Sequence, residues 1–132
     1  MTDTPQIEGR TVKILIVDDE EIVLSLARDA LEDAGYEVVT RQSAIGTVQA
    51  VRRERPHLVL LDIAMPGMDG IAVLKEIRQD ESLNQVLVIM ATAEEDMNTA
   101  LRCLRMGAQG YMTKPFDLDQ IKQQIHNCQS AA

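Results

Sequence analysis

With 132 residues, 45% of them hydrophobic, the chain is long enough for one domain with one substantial core. A formal charge of -8 excludes the cationic surface that binds phosphate backbones or anionic lipid, so direct nucleic-acid binding and membrane contact are not expected. Two cysteines, Cys103 and Cys128, are too few for a disulfide scaffold, and the expectation is a reduced, cytoplasmic protein.

Residues 1–11 are polar, carry Pro5 and Gly9, and read as a flexible N-terminal arm. They lack the basic and apolar regions of a signal peptide, and no later run reaches the ~18 apolar residues of a membrane span. Val12 to Val17 is a β-branched run, apolar on both faces, as a buried parallel strand must be. Ile22, Val23, Leu26, Ala27, Ala30, Leu31 and Ala34 then follow helical spacing and are expected to face the core, with Gly35 as the C-terminal stop. Glu37 to Arg41 is a weaker second strand. Ile45, Val48 and Val51 mark a second helix that ends before Pro56.

Leu58 to Leu61 is the third strand, and Ile71, Leu74 and Ile77 mark the third helix. Val86 to Ala91 is the fourth strand. Met97, Ala100, Leu101 and Leu104 mark the fourth helix, stopped at Gly107. Gln109 to Met112 is a weaker fifth strand. Leu118, Ile121 and Ile125 mark the fifth helix, with Asp117 as its N-cap. Five strand–helix units imply an α/β domain over residues 12–128, with a single doubly wound parallel sheet and a tail at 129–132. Right-handed crossovers leave few topologies, of which 2-1-3-4-5 is a common one.

Function in such sheets gathers at the carboxyl ends of the strands. Asp18, Asp19, Glu20 and Glu21 follow the first strand, Asp62 the third, Thr92 the fourth, and Thr113, Lys114 and Pro115 the fifth. Each has a plain structural reading: acids favour a helix N-terminus, a threonine caps a helix, a lysine is solvated. Their convergence on one sheet edge favours chemistry. Grouped carboxylates repel unless a cation neutralises them, and an all-oxygen site that keeps its waters suits Mg²⁺. A carboxylate beside Mg²⁺ and a lysine is a good nucleophile towards phosphorus. His126 and Cys128 are only two ligands and do not close a zinc site.

At Ile14-Leu15-Ile16-Val17-Asp18-Asp19-Glu20, at Leu60-Leu61-Asp62-Ile63-Ala64-Met65-Pro66-Gly67-Met68-Asp69-Gly70, at Met90-Ala91-Thr92-Ala93 and at Gly110-Tyr111-Met112-Thr113-Lys114-Pro115-Phe116, the chain resembles the receiver domains of two-component response regulators. The resemblance implies a flavodoxin-like fold and a signalling switch that catalyses its own phosphorylation and dephosphorylation. It implies Asp62 as phosphoacceptor, with the phosphohistidine of a sensor histidine kinase or histidine phosphotransfer domain as donor and a downstream protein as target. Asp19, Asp62 and the backbone carbonyl of Ala64 would hold Mg²⁺, with Asp18 acting through coordinated water. Lys114 would pair with the phosphoryl group, Thr92 would move to hydrogen-bond it, and Tyr111 would turn inward. The surface of the fourth helix, fifth strand and fifth helix would carry the readout, and the Lys114–Pro115 bond would be cis.

A phosphorylation-independent binding module on the same fold is the second reading. A phosphatase with an aspartyl intermediate would place Asp-x-Asp after the first strand, where Asp18 instead leads to Glu20. A flavin carrier would want more aromatic residues than Tyr36, Tyr111 and Phe116.

Overall fold

The computed structural model describes residues 6–7, 9–63, 70–92, 97–114 and 118–130, with the side chains of 92, 97 and 128–130 also outside the description. Five parallel strands form one sheet: β3 (Lys13–Val17), β4 (Glu37–Arg41), β5 (Leu58–Asp62), β6 (Leu87–Thr92) and β7 (Gly110–Thr113). Their order β4-β3-β5-β6-β7 is the expected second-first-third-fourth-fifth. β5, at the centre, is buried along its whole length, as its unbroken apolar run requires. β4, at the edge, is half-buried, which explains its weaker sequence signal.

Helices cover both faces. One core cluster joins Leu15, Val17, Val59, Leu61, Val88 and Met90 to α2 (Thr47–Glu54), α3 (Gly70–Gln79) and Cys103 of α4 (Met97–Arg105). The other joins Ile14, Ile16, Leu58, Leu60 and Ile89 to α1 (Glu21–Asp33) and α5 (Leu118–Ser130). Alternate residues of each strand serve opposite clusters, as a pleated strand dictates.

α1 buries only part of the stripe its sequence suggests, Ala27 and Leu31, and adds Leu24 to it. Leu24, Ala27 and Leu31 face the sheet, whereas Ile22 and Leu26 are 68% and 66% exposed. Apolar residues lie on more than one side of this helix, so periodicity alone offers two faces. Docking on β3 and β4 selects the one centred on Leu24, and each leucine buried there contributes about 1.5–3 kcal/mol. Ile45 likewise stands exposed before α2, while Val48 and Val51 are buried. In α4, Leu101 and Leu104 are exposed and Cys103 takes the core position. The third and fifth stripes face the core as expected: Ile71, Leu74, Ile77, Ile121 and Ile125 are all buried.

The N-terminal arm is also more ordered than its composition suggests. β1 (Gln6–Ile7) pairs antiparallel with β2 (Arg10–Thr11), around Gly9 at φ +76°. Ile7 packs on the cluster beside α1, and that burial gives the ribbon its anchor. Gly35 and Gly107 adopt φ +97° and +103°, the left-handed stops predicted for α1 and α4. Asp117, expected to cap α5, lies outside the described residues. Among the described residues, no helix is long and apolar enough to cross a membrane.

Candidate functional site at the carboxyl edge of the sheet

Asp62 is the last residue of β5 and only 3% exposed. The chain just beyond it is held at two points: Ile63 N–H donates to Ala91 O at 2.9 Å, and Gly70 N–H donates to Ile63 O at 2.6 Å. A Cβ at Gly70 would run into the carbonyl oxygen of Asp62, so the start of α3 docks directly on the backbone of that residue and only glycine permits it.

Asp18 follows β3 and is fully buried. Its N–H donates to Arg41 O at 3.0 Å, and its Oδ1 accepts from Glu20 N–H at 2.9 Å, which folds the acidic segment back on itself. Lys114, one residue beyond β7, reaches across the edge. Its Nζ lies 2.7 Å from Asp18 Oδ2 and donates to Asp62 Oδ2 at 3.1 Å; Glu20 Oε1 is 3.6 Å away. The lysine side chain is only 12% exposed. Burial opposes its charge, but attraction to the Asp18 and Asp62 carboxylates outweighs that, and the ammonium pKa is raised above its ordinary value.

Carboxylate oxygens of Asp18, Asp19 and Glu20 lie within 4.8 Å of one another. Asp18 Oδ2 is buried and has no directed hydrogen bond among the described residues, its charge being met by the ion pair with Lys114 alone. A buried carboxylate oxygen in an oxygen-only donor set fits a hard cation such as Mg²⁺. Sequence reasoning assigned no role to Glu20 or Gly70. The acidic run Asp18-Asp19-Glu20 signals the first, and Gly70, at the start of a helical stripe, signals the second.

Thr92 is the last residue of β6, in register with Thr113, so its backbone stands at the same edge; its side chain lies outside the description. Tyr111 is half-buried on β7 beside Met90, and packs on the cluster that includes Cys103 of α4. Ala64, with its carbonyl, and the Lys114–Pro115 bond lie outside the described residues.

The family model described as the response regulator receiver domain matches residues 14–126. The alkaline phosphatase synthesis transcriptional regulatory protein PhoP of Bacillus subtilis is 36% identical over 113 residues, 86% of this chain and 46% of that protein. The sporulation initiation phosphotransferase F of the same organism is 35% identical over 113 residues, 86% of this chain and 90% of that protein. The chain thus spans about half the length of PhoP and nearly all of the phosphotransferase. Among solved structures, chemotaxis protein CheY4 of Vibrio cholerae superposes with a TM-score of 0.80 at 26% identity, covering 88% of this chain and 97% of that one. The beryllofluoride-activated receiver domain of RstA from Klebsiella pneumoniae superposes at 0.79 and 27% identity, covering 87% and 96%. With five parallel strands in the order those receivers share, an acidic cluster and a buried lysine at their carboxyl edge, and a family match across nearly its whole length, the chain belongs to the response-regulator receiver domains of two-component signalling.

Proposed function

We propose that Asp62 accepts a phosphoryl group from the phosphohistidine of a sensor histidine kinase or histidine phosphotransfer domain. The observation that carries this reading is the Lys114 ammonium suspended between the buried Asp18 and Asp62 carboxylates. The Asp62 carboxylate attacks phosphorus, an O–P bond forms, the N–P bond breaks, and the imidazole keeps the electron pair. Lys114 follows the charge on the phosphoryl oxygens from a fixed position, which is how preorganised donors lower such barriers. Asp19 and Asp62, with the Ala64 carbonyl, would hold Mg²⁺, and Asp18 would orient it through water. When bound there, Mg²⁺ neutralises the carboxylates and the incoming phosphoryl oxygens. Water attack on phosphorus later breaks the O–P bond, releases inorganic phosphate, restores the Asp62 carboxylate and resets the switch.

The readout assigned to this state is the face made by α4, β7 and α5, which a downstream protein target would recognise. Thr92 stands at the phosphoryl edge of β6, and Tyr111 lies on the neighbouring strand against the cluster that holds α4. Thr92 drawn towards phosphate leaves space for the Tyr111 ring, a population shift between two packings.

Incubation with acetyl phosphate and Mg²⁺, followed by intact mass measurement, tests the acceptor. One added phosphoryl mass is expected for the wild type and none for Asp62→Asn. Full labelling of the variant would overturn the assignment.

A further inference from the structure

Glu20 breaks a local rule. It is the N-cap residue of α1, a position that favours Ser, Thr, Asp or Asn, whose short side chains accept from the first free amides of the helix. Its side chain makes no such bond. A negative charge at a helix N-terminus is favourable in itself, but Glu21 in the first turn already supplies one. The Glu20 carboxylate is turned instead towards the site, with Oε1 3.6 Å from Lys114 Nζ. Its own N–H donates to Asp18 Oδ1 at 2.9 Å, which holds the backbone from which it reaches.

Burial falls in steps along the acidic run: Asp18 is buried, Asp19 half-buried and Glu20 exposed. The side chains of Asp18, Asp62 and Lys114 are 0%, 4% and 12% exposed, and that of Glu20 is 59%. Of the carboxylates ranged around Lys114, Glu20 thus presents the most surface to an approaching molecule. The charges of the group do not balance. Asp18, Asp19, Glu20 and Asp62 face a single ammonium, and a divalent cation bound among them still leaves one negative charge over. That excess opposes any phosphodonor, and the repulsion scales with the charge the donor carries. An acyl phosphate arrives at neutral pH as a dianion. Phosphoramidate arrives as a monoanion, because its nitrogen is protonated, and it shares the phosphorus–nitrogen bond of phosphohistidine.

We infer that Glu20 is a specificity-determining residue whose carboxylate sorts phosphodonors by charge, slowing transfer from acyl phosphates and favouring donors with a phosphorus–nitrogen bond. The inference rests on the phosphoacceptor reading above and deepens it by naming the donor class. In both reactions an Asp62 oxygen bonds to phosphorus. Acetate leaves with the electron pair of the broken P–O bond, or ammonia with that of the broken P–N bond.

Initial rates of phosphorylation by acetyl phosphate and by phosphoramidate are measured by intact mass on the whole chain, at saturating Mg²⁺ and low ionic strength. Wild type is compared with Glu20→Gln and Glu20→Lys; the residue is exposed, so neither substitution disturbs the core. Glu20→Gln should raise the acetyl phosphate rate about fivefold and the phosphoramidate rate about twofold, since one donor carries twice the charge of the other. Glu20→Lys should enlarge both gains in the same order, and about 0.5 M salt should shrink them. A Glu20 that only holds Lys114 back would speed both donors alike, and one that only supports α1 would lower the Tm without changing their ratio. Equal gains with the two donors, or no gain with either, overturns the charge gate and leaves Asp62 as the acceptor. Failure of both donors to label the wild type, or labelling that survives Asp62→Asn, instead overturns the phosphoacceptor reading beneath it and the gate with it.

Discussion

Lys114 is the residue whose environment is most specialised for charge. It lies between two buried carboxylates, and each group compensates the burial of the other. Lys114→Met should therefore cost on the order of 3 kcal/mol at neutral pH without Mg²⁺, because Asp18 is left buried without its cation. The folded state holds the lysine proton more tightly than the unfolded chain does. Its contribution is whole below the ordinary value of 10.5 and is lost as the pH climbs past it. Denaturant titrations of wild type and Lys114→Met should show a stability gap that is constant through neutral pH and narrows above 10.5. A gap that stays constant above 10.5 would mean that the lysine charge is not responsible. The identity of this residue was legible in the sequence, since the fifth strand delivers it to the edge that holds the acids. Its partners were not, because reach across three strand ends is a property of the folded sheet.

At the scale of elements, α1 shows where helical periodicity stops being informative. Ile22 and Leu26 satisfy the spacing as well as Ala27 and Leu31 do, yet only the latter pair faces the sheet. Leu31, 1% exposed, should lose about 2–5 kcal/mol on substitution by alanine. Leu26, 66% exposed, should change stability by no more than about 0.5 kcal/mol. Equilibrium denaturation of Leu31→Ala and Leu26→Ala decides this directly, and equal losses would place both leucines in the core. The strands were easier to read than the helices. β5 and β6 are buried on both faces, so every position must be apolar until the chain reaches Asp62 or Thr92 at the edge. The boundaries differ from the expected ones by only a residue or so, because those polar residues still pair in the last rung of the sheet.

For the whole molecule, the acidic site lies within a chain of formal charge -8, so a bound cation should stabilise the fold beyond general screening. At constant ionic strength, millimolar Mg²⁺ should raise the Tm of the wild type by a few degrees. It should raise that of Asp19→Asn much less, and an equal rise in both would locate the binding elsewhere. The sequence by itself determined the alternation of strands and helices, the edge at which the polar residues meet, and the residue types of the proposed phosphoacceptor site. Those features are local: burial on two faces demands unbroken apolar runs, and the residue after each run falls at the strand end. The tertiary structure decided which face of α1 is buried, that residues 6–11 form a ribbon pinned by Ile7, and that Gly70 docks on the Asp62 backbone. It also decided that Arg78 gathers turns distant in sequence. Each of these depends on which surfaces meet when helices settle on a twisted sheet, and no spacing along one segment encodes the shape of its neighbour.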